Sequence, residues 1–221
     1  MIIHKVSQGT SEWEMLRKNV ITGTKAESFK PKVRGTGYRA GFFEMLADDI
    51  DTDEHNESPM DWGTTNEPKA REEYSKITGN KVDEYGFCTH DEYPFIGYSP
   101  DGVVLKNKKP VIGLEIKCPT TKVYVEYFIE TCINGDEISQ YQAGIDKVPD
   151  QYRIQVIQSF LVNKEQRELH FFIYNPTLAK NNWIFITVER SEIELEIQEQ
   201  LQYQIVGYKK YLELKALFID F

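Results

Sequence analysis

"SPDGVVLKNKKPVIGLEIKCP" (residues 99–119) reads as two apolar strands joined by a lysine-rich turn, Lys106-Asn107-Lys108-Lys109-Pro110. The stretch decides the fold because three charged residues, Asp101, Glu115 and Lys117, stand where the pattern otherwise says buried strand. Alternate side chains of a strand share a face, so Glu115 and Lys117 point one way while Leu114, Ile116 and Cys118 point the other. Leu114 and Ile116 can then enter a core as the acid and the lysine face a cleft. A hairpin lays the preceding strand alongside, with Asp101 toward its open end. Pro100 before Asp101 and Gly102 after it imply a bend that redirects the carboxylate.

Two carboxylates brought together repel, and one stays protonated unless a cation intervenes. A hard divalent ion resolves the conflict, since Mg²⁺ takes one or two carboxylates, keeps several waters and leaves positions for phosphate oxygens. Lys117 beside it would hold an attacking water or hydroxide and offset charge building on phosphorus. That combination suits hydrolysis of a phosphodiester. The bare D-x(n)-E-x-K pattern is short, and the competing reading is a surface salt bridge on an exposed hairpin. The P-D-G bend, the strand length and the helix expected next give it weight.

Around this centre, a chain of 221 residues supports one substantial core, and 40% apolar with 13% aromatic residues excludes a disordered tail. No run of eighteen apolar residues occurs, and "MIIHKVSQGT" lacks the apolar stretch of a signal peptide. The expectation is a cytoplasmic protein outside the membrane. Three cysteines, Cys88, Cys118 and Cys132, suggest buried thiols, not a disulfide framework or a four-cysteine cluster.

A net charge of −9 argues against phosphate binding until its distribution is considered. Residues 16–39 carry Arg17, Lys18, Lys25, Lys30, Lys32, Arg34 and Arg39 against the single acid Glu27, whereas acids gather at 44–61 and 189–199. The run is either a solvated face or a nucleic-acid track.

The order of elements predicts one α/β domain, helices covering a mixed sheet. Ser11 and Glu14 have capping-box spacing ahead of a helix at about 12–19. A second helix follows at "YRAGFFEMLADDI", then a polar loop at 51–61. The next helix, about 63–78, ends at Gly79, and Pro68 argues for a start later than Gly63. Strands are expected at 81–88, 95–105 and 111–117, helices at about 121–131 and 150–163, and two strands in "RELHFFIYN" and "WIFITVE". Ile193, Ile197, Leu201, Ile205, Tyr208 and Leu212 mark an amphipathic last helix, about 191–216, docked on the core or, as the lesser option, forming an oligomer contact.

The "SPDG…GLEIKCP" signature resembles that of the PD-(D/E)xK nucleases, in particular the phage lambda-type exonuclease, or YqaJ-like viral recombinase, family. "SQGTSEWEMLRKNVITGT" (7–24), "WGTTNEPKAR" (62–71) and "YRIQVIQSF" (152–160) agree in order, so the resemblance spans roughly residues 7–190. It implies a restriction-endonuclease-like α/β core at about 60–190, a mixed central sheet flanked by helices, with a DNA-end-binding part at about 7–50 and the C-terminal helix in the same domain. By resemblance Asp101 and Glu115 bind metal, with the main-chain carbonyl of Ile116 as an extra ligand. Lys117 positions the water, Glu67 is a helical glutamate near the metals, and Gln155 supports the site. Arg17 would grip the 5′-phosphate of a DNA end, assisted by Thr24 and Ser99. Thr24 keeps the hydroxyl of the serine expected there. Lys30, Lys32 and Arg34 become the candidate DNA track.

The activity implied is Mg²⁺-dependent, with Mn²⁺ able to substitute. One strand of linear double-stranded DNA would be degraded 5′ to 3′ to mononucleotides, leaving 3′ overhangs for recombination. A homotrimer and a single-strand annealing protein as partner come with the resemblance. The alternatives are another PD-(D/E)xK nuclease, such as a structure-specific or restriction-like endonuclease, and an inactive DNA-binding relative.

Overall fold

The computed structural model describes residues 1–30 and 62–217. Its centre is the stretch that opened the sequence analysis. The strands β5 (Gly102–Lys106) and β6 (Lys109–Lys117) form an antiparallel hairpin closed by Asn107 and Lys108, both at positive φ (54° and 64°). Two residues of that conformation make the turn whose twist matches the flanking strands. The other edge of β6 pairs in parallel with β10 (Glu168–Tyr174), which pairs antiparallel with β11 (Trp183–Glu189). With β2 (Val82–Asp83) beside β5 and β9 (Tyr141–Ala143) beside β11, the order of this mixed six-stranded sheet is β2-β5-β6-β10-β11-β9. The Gly102 position is dictated by packing: a Cβ there would stand 2.4 Å from Val82 Cγ1.

Alternation along β10 builds a core on each face. His170 and Phe172 face the helix α3 (Trp62–Thr78), whose Ala70 and Tyr74 pack against Val104, Ile112, Leu114 and Ile116. Tyr74 also places its hydroxyl 2.6 Å from His170 Nδ1, which locks helix to sheet through a buried polar contact. Phe171 and Ile173 face the opposite layer, where α5 (Asp150–Val162) contributes Val156, Ile157 and Phe160.

The N-terminal elements are β1 (Ile2–His4), α1 (Ser11–Arg17), α2 (Gly23–Ala26), which packs against α5, and a 3-10 turn at Glu27–Phe29. Gln158, fully buried, donates its amide to the carbonyls of Ile21 (3.0 Å) and Gly97 (3.1 Å), tying this region to β4 (Gly97–Tyr98). With β1 and β3 (Phe87–Thr89), β4 forms a separate three-stranded sheet. The C-terminal helix α6 (Glu194–Lys215) closes the layer, and Gln204 Nε2 donates to Gln158 Oε1 at 2.6 Å.

Several expectations are corrected. Thr10, in extended conformation, caps α1 by accepting from the Trp13 amide, so Ser11 is the first helical residue and not the cap. Pro68 lies inside α3, which begins at Trp62; burial of Ala70 and Tyr74 against the sheet offsets the lost main-chain bond. The strand expected at 81–88 is two strands in different sheets, and that at 95–105 is likewise β4 and β5, because the chain bends at Glu84–Gly86 and again at Ser99–Asp101. The buried stripe of α6 is Ile197, Gln200, Gln204, Gly207 and Tyr211, rotated from the apolar one, and Leu212 is exposed. Following α4 (Thr121–Cys132), the β7–β8 hairpin (Ile133–Asn134, Glu137–Ile138) and β9 lacked a sequence signal. The helix expected at 38–50, the loop at 51–61, and Lys32, Arg34 and Arg39 lie outside the described residues.

Candidate active site

The β5–β6 ladder stops at Gly102 opposite Leu114. Beyond it the Ile116 N–H finds no strand and donates instead to Asp101 Oδ2 at 2.7 Å. In an antiparallel pair one residue presents its N–H and C=O to the same edge, so the Ile116 carbonyl also faces the space past the end of β5. Asp101, Ile116, Lys117 and Glu67 line a common cleft of about 480 Å³ there, with Tyr152 and Gln151 of α5 on its far wall.

Glu115 is buried (8% exposed), and Lys117 Nζ donates to its Oε1. Lys117 is further held 5.2 Å over the Tyr152 ring. Burial alone would lower the Lys117 ammonium, but the neighbouring Glu115 and Asp101 carboxylates override it and hold its pKa above the ordinary lysine value. Desolvation, reinforced by the charge of Glu115, pushes Asp101 well above the usual carboxylate range. Desolvation likewise raises Glu67, against the pull of Arg71 and Lys117. Four ionisable groups from α3, the β4–β5 bend and β6 therefore share one electrostatic field, in which Asp101 and Glu67 carry a penalty that a cation would relieve.

Among the described residues, no three His, Cys, Asp or Glu side chains are gathered into a metal cage. The donor set instead suits a hard ion that keeps its own waters, for which one or two carboxylates suffice. Asp101 and Glu115 each have one oxygen taken by an internal donor, Ile116 N–H and Lys117 Nζ respectively. The Ile116 carbonyl adds a neutral oxygen on the same edge.

Two residues before Asp101, Ser99 anchors a second group. Arg17 Nη1 donates to Ser99 Oγ at 3.1 Å, and Trp13 Nε1 donates to the same oxygen at 2.9 Å and to the Gly86 carbonyl at 3.1 Å. The Arg17 guanidinium stacks on the Trp13 ring, 4.1 Å from its centroid, and burial lowers its pKa from the ordinary arginine value. The Thr24 hydroxyl lies instead 3.2 Å from Thr22 Oγ1. Thr24 lines a neighbouring cleft with Lys30, Gln155 and Gln151, and Gln151 also borders the acidic cleft. Lys30 is paired with Glu27 at 3.0 Å.

Trp13, Arg71 and Tyr152 emerge only in three dimensions. Each stands within a block already singled out in the sequence, where no pattern distinguishes it from its neighbours.

The architecture matches solved structures along almost its whole length. The alkaline exonuclease LHK-Exo from Laribacter hongkongensis gives a TM-score of 0.69 at 22% identity, covering 94% of this chain and 97% of that one. The same protein in complex with dAMP gives 0.68 at 23% over the same shares. A phage related exonuclease from Haemophilus somnus 129PT gives 0.58 at 12%, covering 87% and 92%. At these identities the likeness establishes a shared fold. No curated protein matches the chain in sequence. Residues 12–165, which contain all of α1 but Ser11, the acidic cleft and the whole of α5, match the family described as the YqaJ-like viral recombinase domain. That match covers more than half of the chain and includes every candidate site residue, and on it the chain belongs to the YqaJ-like viral recombinase family.

Proposed function

We propose that this protein is a nuclease that hydrolyses DNA phosphodiesters, and specifically an exonuclease that degrades one strand of linear duplex DNA from its 5′ end to mononucleotides. The observation that carries the reading is the juxtaposition of two groups across Ser99–Asp101. Arg17, held against Ser99, offers a guanidinium suited to a terminal phosphate. Asp101 lies two residues on, a reach of at most about 7 Å. A 5′-phosphate held by Arg17 would leave the next phosphodiester beside the acidic cleft, which favours release of single nucleotides. The structural relatives are exonucleases by description, and one is held with dAMP, a nucleoside monophosphate.

In this reading Asp101, Glu115 and the Ile116 carbonyl hold Mg²⁺, with Mn²⁺ as a substitute. Such an ion supplies Lewis-acid stabilisation of phosphoryl oxygens and a water of lowered pKa. Lys117, fixed between Glu115 and the Tyr152 ring, orients the attacking water and offsets charge developing on the phosphate. Glu67 is a further acceptor on the cleft wall. Gln155 supports the site from the adjoining cleft, which it lines with Thr24, Lys30 and Gln151. Family membership further supports the homotrimer, the annealing-protein partner, the 3′ overhang as recombination substrate, and a workplace in the cytoplasm. Among the described residues no helix is long and apolar enough to cross a membrane.

The test is digestion of a linear duplex labelled separately at each end of one strand, with 5′-phosphate or 5′-hydroxyl termini, in Mg²⁺ or EDTA. Mg²⁺-dependent loss that begins at the 5′-phosphate is expected. Substantial cutting of covalently closed circles would overturn the exonuclease reading in favour of an endonuclease.

A further inference from the structure

Arg71 stands one helical turn after Glu67 in α3, and its guanidinium is engaged in three directions. Nη2 donates to Glu67 Oε1 at 2.6 Å, and Nε donates to the main-chain carbonyl of Asp101 at 2.9 Å. Nη1 lies 3.3 Å from Glu84 Oε2, whose side chain is 72% exposed. The Nε and Nη2 donors occupy one edge of a planar fork. Along that edge a helix-borne carboxylate and the backbone of the β4–β5 bend are therefore held at a spacing set by covalent geometry.

What is held matters more than the number of bonds. Asp101 is restrained at both ends, its carbonyl by Arg71 and its carboxylate by the Ile116 N–H. Glu67 and Asp101 both line the acidic cleft, yet they arrive on elements far apart in the chain. Three acids and Lys117 alone would push apart in this desolvated space, and Arg71 is the cation that opposes repulsion on the helix side. It does so without covering the Asp101 carboxylate, because it takes the carbonyl.

We infer that Arg71 is a positioning residue: it sets the spacing of Glu67 and Asp101, and so the divalent-ion affinity of the cleft. The inference rests on the proposed role of these acids in metal-dependent hydrolysis. It differs from a role in stability, for which Arg71 would only tie α3 to the exposed loop through Glu84. A lysine would keep the charge but lose the edge, since an ammonium is a point donor on a flexible stem.

The experiment compares wild type with R71K, R71Q and E84Q. Mn²⁺ binding is read without DNA by electron paramagnetic resonance of the free ion. DNA-end binding is read in EDTA by fluorescence anisotropy, and hydrolysis is titrated with Mg²⁺. Loss of residues that orient metal ligands typically costs about 10- to 100-fold in metal affinity or activity. The expectation is therefore a rise of that size in the Mn²⁺ dissociation constant and in half-saturating Mg²⁺, with R71Q at least as impaired as R71K. End binding in EDTA should stay within about twofold by the same reasoning, because Arg71 acts on the ligand set, not on the phosphate grip. E84Q should behave as wild type. Making both Arg71 variants keeps the comparison valid if one fails to fold. Wild-type Mn²⁺ affinity in either folded variant would overturn the inference, as would an E84Q defect equal to that of R71K. If D101N abolishes hydrolysis while R71K binds Mn²⁺ normally, the positioning role fails alone; if D101N stays active, the reading of the cleft fails with it.

Discussion

Removing the Arg17 guanidinium, as Arg17→Ala, separates recognition of a DNA end from hydrolysis. Arg17 is braced by the Trp13 ring at 4.1 Å and by one hydrogen bond from Nη1 to Ser99 Oγ at 3.1 Å. A guanidinium carries five N–H donors, so this bracing leaves most of the fork for phosphate oxygens. A hydrogen bond to a charged group contributes about 1.5–3 kcal/mol. Loss of one such bond, made only to a 5′-phosphate, corresponds to roughly 10- to 150-fold in relative kcat/KM. The assay measures initial rates on two duplexes that differ only in a 5′-phosphate or 5′-hydroxyl. The ratio of their kcat/KM values should collapse toward one in the variant, while the hydroxyl-ended substrate changes little. An unchanged ratio would move the phosphate grip elsewhere. Equal loss on both substrates would make Arg17 a scaffold for the Ser99 turn.

Asp101→Asn should abolish hydrolysis, leave end binding largely intact and raise the melting temperature in EDTA. Desolvation and the Glu115 charge hold the Asp101 carboxyl above its ordinary pKa, so between the unfolded and folded values the native state binds the extra proton. Stability contributed by this group therefore falls as pH rises through that window. Asparagine can still accept from the Ile116 N–H without the charge, and each 1 kcal/mol regained would appear as roughly 2–4 °C for a chain of this size. A lower melting temperature at pH 8 would refute that account. Lys117→Ala leaves Glu115 buried without its cation, so calorimetry should show destabilisation of about 3–5 kcal/mol, and kinetics should show turnover falling far more than DNA affinity. Equal loss in turnover and affinity would make Lys117 a docking residue.

The hairpin was legible because its pattern is local: strand alternation places Leu114 and Ile116 in the core with Tyr74, and the polar turn needs only two residues at positive φ. The break at 84–86 was not, and at 99–101 only the Pro100–Gly102 bend was, because the division of each run between two sheets depends on partners distant in the chain. The last helix misled for a related reason. Gln200 and Gln204 point inward because the Ala26 carbonyl and Gln158 are there to receive them, at 3.0 and 2.6 Å. A polar residue with a buried partner leaves no trace in apolar periodicity. Arg71 belongs to the same class, its importance lying in contacts to two elements far apart in the sequence.

Where the ladder ends explains why an acid, a second acid and a lysine are worth desolvating side by side. Had β5 extended past Gly102, its backbone would have taken the Ile116 N–H and its carbonyl would have been closed to any ligand. The Pro100–Gly102 bend instead removes β5 from the edge and puts the Asp101 carboxylate in its place. The same bend leaves Ser99 facing Arg17 and Trp13, so one interruption of a strand pair creates both the acidic cleft and the anchor beside it. Repulsion among the acids is contained by Lys117 within the hairpin and by Arg71 across from the helix. Lengthening the β5–β6 pairing would relieve that repulsion, and it would do so by closing the edge on which the chemistry depends.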